Sequence, residues 1–336
     1  MRILFIGGTG LISSACSDLV LARGHELFIL NRSMSTKHSL PEGAHLIKGD
    51  VHGDENELAR LFQDFEFDSV ADWIAYTQED VERDIRLFRG RAGQFVFISS
   101  ASAYQKPPTD YLITENTPLE NPFWQYSRDK IACEDRLMRE YRDRRFPVTI
   151  IRPSLTYGPS QIPLSAGSWE HPYTVIDRIQ HGKRLIVPGD GTSLWVLTWN
   201  GDFARGLMGL LGNKRALGEA FHITSDEVLS WNQIYLEVYA ALGVQPDIVH
   251  VPSELIAAYW PQAVGSLVGD KMNSAVFDNS KIKSFVPDFH CDVPWAEGVR
   301  RAIAWHEADP GRKTIDHEAN DLWDRIINSY EKAFPS

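Results

Sequence analysis

The chain has 336 residues, of which 43% are hydrophobic and 24% charged, a balance typical of a folded globular protein rather than a disordered one. The formal net charge of −11 makes nucleic-acid binding by the whole surface unfavourable. The apolar runs are much shorter than the ~20 residues that a membrane-spanning helix needs. The first residues lack the pattern of a signal peptide, and the three cysteines are widely separated, so we predict a cytoplasmic protein with reduced thiols.

Short apolar runs alternate with helical patterns over the first 150 residues. The predicted strands are 2–6, 26–30, 44–48, 69–74, 94–98 and 148–151, and the predicted helices are 11–23, 54–63, 78–91 and 126–144. Strands that are separated by helices pair in parallel through right-handed crossovers. The sequence therefore predicts an α/β protein with a doubly wound parallel sheet, whose ligands bind beyond the carboxyl ends of the strands.

This alternation ends at a cluster of prolines and glycines in 158–172. Strand-like segments follow at 184–187, 194–198 and 219–223, and helical patterns lie near 201–212, 230–243, 253–265, 294–308 and 318–332. We predict a dinucleotide-binding domain at 1–157, to which segments near 195–225 return. The remainder of 158–336 is predicted to form a smaller, mainly substrate-binding region.

A glycine-rich loop, Gly-Gly-Thr-Gly-Leu-Ile-Ser at 7–13, connects the first predicted strand to the first helix. Glycines let the backbone turn tightly and approach a pyrophosphate, and the amino end of the helix offers free N–H groups. A serine stands at the third glycine position of this pattern, where a small residue still permits close packing of helix and strand. We predict that the cofactor-binding residues here are Gly7, Thr9, Gly10, Leu11 and Ile12.

The end of the second predicted strand bears on the choice of cofactor. A carboxylate at this position binds the ribose 2′-hydroxyl of NAD, whereas a nearby arginine accommodates the 2′-phosphate of NADP. This chain has Asn31 and Arg32 there, and Lys37 is close enough in sequence to assist. Asp50 and Val51 follow the third strand and are placed to meet the adenine. We therefore predict NAD or NADP as the cofactor, with NADP slightly favoured.

Tyr126 and Lys130 begin the long predicted helix and lie about one turn apart on one face. A free tyrosine has a pKa of ~10, and a nearby ammonium or a positively charged nicotinamide ring favours its phenolate. Lys130 can also bind the nicotinamide ribose. Upstream, the segment 97–104 reads Phe-Ile-Ser-Ser-Ala-Ser-Ala-Tyr and leaves the fifth strand, so its hydroxyl groups face the same crevice.

Together these motifs resemble the extended short-chain dehydrogenase/reductase superfamily, and they are most similar to its NAD-dependent epimerase/dehydratase family. The Arg-Pro-Ser-Leu-Thr-Tyr-Gly-Pro segment at 152–159 and Pro-Gly-Asp-Gly at 188–191 add to the resemblance. It implies a Rossmann fold and hydride exchange with a nicotinamide. It also implies that Ser100 hydrogen-bonds the reacting sugar oxygen, that Tyr126 exchanges the proton and that Lys130 completes the catalytic set.

The remaining predicted site residues flank these motifs. Further cofactor contacts are predicted at Trp73, Ser99, Pro153 and Leu155, and substrate contacts at Ser102, Tyr104, Trp124 and Trp195. The histidines and cysteines show no metal-ligand spacing, so no metal site is predicted.

The expected substrate is a sugar, but the chain departs from the family pattern where nucleotide sugars are held. Nucleotide-sugar members bind the diphosphate through arginines at two positions that are Trp195 and Val268 here. The loss of both would leave a diphosphate poorly paired. Arg178, Lys183 and Arg184 lie in the substrate region and are the candidates for a replacement clamp.

We predict an NAD(P)-dependent epimerase that acts on a sugar or nucleotide sugar through a keto intermediate. A 4,6-dehydratase is disfavoured because its carboxylates are replaced by Ala101 and Ser102. One alternative is a dehydrogenase or reductase acting on a non-nucleotide sugar or sugar acid. Another is a nucleotide- or RNA-binding relative without turnover, against which the intact catalytic set argues. The resemblance also implies a possible homodimer through the long helices.

Overall fold

The computed structural model describes residues 1–32 and 39–333, in which strands and helices alternate. The strands are β1 Arg2–Ile6, β2 Glu26–Asn31, β3 His45–Lys48, β4 Ser69–Asp72, β5 Phe95–Ile98, β6 Leu112–Ile113, β7 Val148–Pro153, β8 Leu155–Tyr157, β9 Leu185–Pro188, β10 Leu194–Trp195, β11 Leu197–Trp199, β12 Ala220–Ile223, β13 Leu229–Ser230, β14 Ile248–Val251 and β15 Val276–Phe277. The helices are α1 Ser13–Ala22, α2 Glu55–Leu61, α3 Gln78–Phe88, α4 Gln125–Arg144, α5 Tyr173–Gln180, α6 Asn200–Leu210, α7 Trp231–Leu242, α8 Ser253–Tyr259, α9 Val264–Ser266, α10 Ser280–Phe285, α11 Trp295–Glu307 and α12 His317–Glu331.

The central sheet of the described chain has seven parallel strands in the order β12-β7-β5-β4-β1-β2-β3. The chain starts at β1, winds outward through β2 and β3, and then crosses to β4 on the other side of β1. This order confirms the predicted α/β fold with a doubly wound Rossmann sheet. The reversal between β1 and β4 opens a crevice at the carboxyl ends of these strands, where ligands of such sheets bind.

Both faces of the sheet are covered, which explains why its inner strands are continuous apolar runs. The helices α2, α3 and α4 pack their apolar side chains on one face, around residues such as Phe88 and Leu137. The helices α1 and α6 cover the other face, around Val20 and Leu207. Because β4 and β5 are fully buried, the loops at their carboxyl ends are held by a rigid base.

Residues near 195–225 reach the sheet, because β12 pairs with β7 and places Ala220 opposite Ile150. The other late segments form short strand pairs with helices around a separate apolar cluster that includes Trp231, Tyr235 and Trp295. The division of function at residues 157 and 158 stays a prediction.

Candidate active site

A cleft of about 690 Å3 lies where the crevice of the sheet meets the late segments of the chain. Its walls come from the glycine loop after β1, the segments after β4, β5 and β7, the start of α4, and residues beyond 160. The sequence-predicted residues that line it are Gly7, Gly10, Leu11, Ile12, Trp73, Ser99, Ser100, Ser102, Trp124, Tyr126, Lys130, Pro153, Leu155 and Trp195. The fold thus brings together motifs that are far apart in sequence.

The glycine loop has the form that a pyrophosphate needs. Gly7 has a φ of +84°, and the Ser13 hydroxyl donates to the Gly7 carbonyl at 3.1 Å. The Gly10 N–H donates to the Ser13 oxygen at 2.8 Å, so this serine closes the loop from within. No side chain among the described residues caps the amino end of α1, so the first N–H groups other than that of Ser14, which donates to the Gly10 carbonyl at 2.9 Å, can bind an anion. Thr9 lies in the loop beside the cleft, and a dinucleotide fits this cradle.

The residues predicted to contact the adenosine half of the cofactor lie at the ends of β2 and β3. The Arg32 guanidinium is 3.8 Å from the Asp50 carboxylate, and both side chains are largely exposed. Asn31 ends β2, and Val51 is buried behind Asp50. Lys37, predicted to assist Arg32, lies outside the described residues. The ion pair of Arg32 with Asp50 is therefore long and exposed to solvent.

Tyr126 and Lys130 occupy the first two turns of α4, and both line the cleft. The Lys130 ammonium donates to the backbone oxygens of Ala75 at 2.6 Å and Ile98 at 2.8 Å, and it lies 5.8 Å from the centre of the Tyr126 ring. Burial lowers the pKa of Lys130 to about 8. Burial also raises the pKa of Tyr126 to about 12, an effect that the nearby Ser100 hydroxyl opposes. The phenol therefore holds its proton at neutral pH.

Ser100 stands at the end of a chain of hydroxyl groups that the sequence analysis did not identify. The Ser127 hydroxyl donates to the Ser102 oxygen at 2.8 Å, and the Ser100 and Ser102 oxygens are 2.9 Å apart. The Ser102 N–H also donates to the Ser100 oxygen at 3.2 Å. Ser102 accepts from Ser127, and either Ser100 or Ser102 can donate in the bond between them. These hydroxyl groups form a continuous hydrogen-bonded chain that ends at Ser100 in the cleft.

Comparisons with known proteins identify the family of the chain. The sequence profile of the NAD dependent epimerase/dehydratase family matches residues 3–224. The chain belongs to this family. It is 26% identical to the 2′-dehydrokanamycin reductase of Streptomyces kanamyceticus over 76% of this chain and 71% of that protein. It is 25% identical to the UDP-N-acetyl-alpha-D-glucosaminuronate decarboxylase of Bacillus cytotoxicus, over 90% of this chain and 97% of that protein.

Among solved structures, the UDP-glucuronic acid 4-epimerase of Bacillus cereus superposes with a TM-score of 0.73 at 18% identity, covering 92% of this chain and 99% of that one. At this level of identity the likeness establishes the fold. With the family match, it makes this chain an enzyme of the NAD-dependent epimerase/dehydratase family. The predicted family is thereby confirmed.

One residue predicted to touch the substrate does not reach the cleft of this family member. Tyr104 is fully buried, and its phenol oxygen lies 3.1 Å from Nδ1 of His222. The Arg152 guanidinium is 4.9 Å from the centre of its ring, and burial raises the pKa of the phenol. Tyr104 therefore packs beneath the site, in contrast to our prediction of a substrate contact.

The proposed replacement clamp also lies elsewhere. Arg178 is fully buried and donates to Asp324 at 2.8 Å, and Lys183 contacts the same carboxylate at 2.7 Å. Arg184 pairs with Glu331. These three cations fix α12 to the segment around α5, and the structure does not bring them to the cleft.

Three polar atoms in the cleft wall are buried without a hydrogen-bond partner among the described residues. They are Nε1 of Trp73, Oγ1 of Thr156 and Nε1 of Trp195. Buried polar groups are usually paired in native proteins, so these atoms fit hydrogen bonds to a bound cofactor or substrate.

The described residues contain no helix that is long and apolar enough to cross a membrane. They likewise contain no group of three or more histidine, cysteine or acidic side chains arranged to hold a metal ion.

The lowered pKa of Lys130 predicts how the stability of the cofactor-free protein depends on pH. The unfolded chain keeps the ordinary pKa of 10.5, whereas the folded chain has about 8. Between these values the unfolded state binds more protons, so a rise in pH favours the folded state. We expect the free energy of unfolding to rise across this window by about 3 kcal/mol relative to Lys130→Met.

Urea unfolding of the parent and of Lys130→Met, near pH 8 and near pH 10.5, measures this difference. Lys214→Met, which removes an exposed lysine away from the cleft, serves as the control. Equal changes with pH in the parent and in Lys130→Met would contradict the prediction.

Proposed function

We propose that this enzyme exchanges hydride at a hydroxyl-bearing carbon of a sugar-type substrate, and that it inverts that carbon through a keto intermediate. The observation that supports this most is the meeting of the Tyr126 phenol and the Ser100 hydroxyl in the cleft that also holds the glycine loop. The names of the relatives refer to sugar substrates, which favours the same substrate class.

The protein's own groups divide the chemistry between them. When bound, the nicotinamide cofactor supplies the acceptor and donor of hydride. Ser100 donates a hydrogen bond to the substrate oxygen, and Tyr126 exchanges a proton with that oxygen as the carbinol becomes a carbonyl and returns. The Lys130 ammonium lies close enough to stabilise the phenolate when the proton leaves. Trp124, whose ring centre is 5.0 Å from that of Tyr126, fixes the orientation of the phenol.

A second candidate is a net dehydrogenase or reductase on a non-nucleotide sugar or sugar acid. It is favoured by Trp195, which stands where family members that bind nucleotide sugars have an arginine. The Trp195 ring is buried and stacks on Trp231 with centres 5.5 Å apart, so it cannot neutralise a diphosphate. The similarity to a reductase points the same way.

Cofactor turnover distinguishes the two candidates. Small molecules that co-purify with the protein are identified by mass spectrometry and then supplied as substrates. An epimerase forms the inverted sugar without a net change in NAD(P)H absorbance, whereas an oxidoreductase consumes cofactor in step with product. Failure of both reactions on every such compound would contradict the proposed hydride exchange.

We further propose that NADP(H) binds at least as well as NAD(H). The side chain at the end of β2 is a neutral amide, and Arg32 can pair with a 2′-phosphate more closely than with Asp50 at 3.8 Å. We expect Arg32→Ala to weaken NADP(H) binding by about tenfold and NAD(H) binding much less. Fluorescence titration measures both, with Arg23→Ala as the control. Equal losses for the two cofactors would mean that Arg32 does not bind the 2′-phosphate.

A cytoplasmic location and a homodimer through the long helices stay predictions. Sedimentation of the purified protein tests the second of them.

A further inference from the structure

The charged side chains of the cleft are mostly positive. Within the described residues, those that line it are Lys106, Lys130, Asp270 and Lys271. Lys130 lies beside the reactive Tyr126. The other three residues, Lys106, Asp270 and Lys271, form a second group, which we call the lysine cluster. This concentration of positive charge runs against the chain as a whole, whose net charge is −11.

The lysine cluster holds two ammonium groups around one carboxylate. The Lys106 ammonium is 3.2 Å from one Asp270 oxygen, and the Lys271 ammonium is 3.7 Å from the other. The side chains are 1%, 13% and 14% exposed for Lys106, Asp270 and Lys271 respectively. With all three ionised, the cluster carries one positive charge in excess. Burying an unbalanced charge is unfavourable unless a counter-ion pairs with it.

The lysine cluster lies in the wall of the cleft, on two separate segments of the chain. Asp270 and Lys271 lie on a π-helical turn, Leu267–Lys271, which continues α9, and such turns occur frequently at functional sites. Lys106 reaches the cluster from the loop that follows β5, and its ammonium is 5.7 Å from the centre of the Trp195 ring. Nε1 of that buried indole has no hydrogen-bond partner among the described residues.

The protonation of the cluster reflects the same imbalance. Burial lowers the pKa of Lys271, and the positive charge of Lys106 lowers it further, while Asp270 acts in the opposite direction. Asp270 is also among the charges that raise the pKa of Tyr126, and both side chains line the same cleft. A ligand anion here would supply the missing counter-charge in the cleft that also contains Tyr126.

We propose that Lys106 and Lys271 bind an anionic group of the substrate, a carboxylate or a phosphate. This inference rests on the proposed function, because it names the substrate class of the same site. A sugar acid supplies the one negative charge that balances the cluster, and a sugar phosphate, with a charge of about −1.5 to −2 at pH 7, supplies at least that charge. A sugar that carries several ammonium groups is repelled by the same cluster.

The test uses ligands that share one ring and differ in charge. Cofactor-loaded protein is titrated by calorimetry with D-glucose, D-glucosamine, D-glucuronate and D-glucose 6-phosphate, and then with D-galacturonate and UDP. At least one anion should bind at least about tenfold more tightly than neutral glucose, and glucosamine should bind more weakly than glucose. If UDP binds and its binding depends on Lys106, the anionic group of the substrate belongs to a nucleotide. If only the sugar anions bind, the anionic group belongs to the sugar itself.

Removing a lysine of the cluster should weaken anion binding, whereas removing its carboxylate should strengthen it. We expect Lys106→Met and Lys271→Met to weaken the binding of the preferred anion by about 10- to 100-fold, with little effect on glucose. Lys106→Arg keeps the charge and should retain binding. Asp270→Asn removes the competing carboxylate and should tighten binding, an increase that a misfolded variant cannot produce. Lys214→Met is the matched control for removal of a lysine elsewhere.

The proposal is overturned if none of the anions binds, or if anion binding survives both lysine-to-methionine substitutions. These readouts measure binding alone. If the protein shows no preference for anions, the proposed hydride exchange is not contradicted. If the protein shows no hydride exchange, the measured anion affinities still test the lysine cluster.

Discussion

Tyr126→Phe should lose about 10²- to 10⁴-fold in kcat, the range that a positioned general acid–base contributes. The substitution removes only the phenol oxygen, and the ring keeps its packing against Trp124 and Tyr76. Folding and cofactor affinity should stay unchanged for that reason. Ser100 still holds the substrate oxygen in the variant, but no group replaces the proton that the phenol exchanges.

Single-turnover and steady-state assays with a substrate identified from the purified protein measure this loss. Tyr111→Phe is the control, because that side chain is 59% exposed and lies outside the cleft. If Tyr126→Phe keeps a kcat within a few-fold of the parent while Tyr111→Phe is also unaffected, another group must exchange the proton.

The protonation states of Tyr126 and Lys130 determine in which direction the phenol can transfer a proton. In the cofactor-free protein, burial raises the pKa of Tyr126 to about 12, while burial lowers that of Lys130 to about 8. Near pH 7 the Tyr126 phenol is therefore neutral and Lys130 is still mostly an ammonium. The protonated Tyr126 phenol can donate a proton to a substrate carbonyl. To remove a proton from a substrate hydroxyl, Tyr126 must be a phenolate, which requires that Lys130 remain an ammonium beside it.

The parts of the site that were predictable from sequence are those set by local chain geometry. The glycine loop follows an apolar run directly, and Tyr126 and Lys130 are related by one helical turn, so neither depends on distant contacts. The parallel pairing of the strands in the sheet also follows from the alternation of strands and helices. These predictions needed only the regular periods of strands and helices.

The lysine cluster could not be predicted in this way. Lys106 and Asp270 are separated by more than 160 positions, and no spacing pattern relates them. Lys106 precedes two prolines in a loop, and Lys271 lies on a π-helical turn, which has no regular sequence signal. Only the packing of the late segments over the crevice brings these side chains together.

The errors have similar causes. Tyr104 comes directly after a short 3₁₀ turn, so strand alternation does not determine which way its side chain faces. The sequence analysis did not predict α5, which begins after Pro172 in a region rich in proline and glycine, so the direction of Arg178 could not be deduced. Arg178 in fact anchors α12 through Asp324.

A buried ion pair beneath the catalytic segment leads to the largest stability effect that we expect. The Arg152 guanidinium contacts both oxygens of Glu134, at 2.6 and 3.0 Å, and the Ser99 hydroxyl donates to the same carboxylate. Both charged side chains are at most 6% exposed. The pair joins β7 to α4 under the loop that carries Ser100, so it supports the hydroxyl groups as well as the fold.

Arg152→Met should destabilise the protein by about 3–5 kcal/mol, because it leaves the Glu134 carboxylate buried without its cation. The double variant Glu134→Gln/Arg152→Met removes both charges and should recover much of this loss. Arg86→Met is the matched control: its ion pair with Glu55 is as short, at 2.7 Å, but it is exposed, so its loss should cost less than about 1 kcal/mol. Urea unfolding of the four proteins separates these cases. Equal destabilisation by Arg152→Met and Arg86→Met would contradict the prediction, because it would show that burial does not increase the cost of losing the Arg152 cation. A double variant as unstable as Arg152→Met would contradict it as well, because the unpaired Glu134 charge would then not be the cause of the loss.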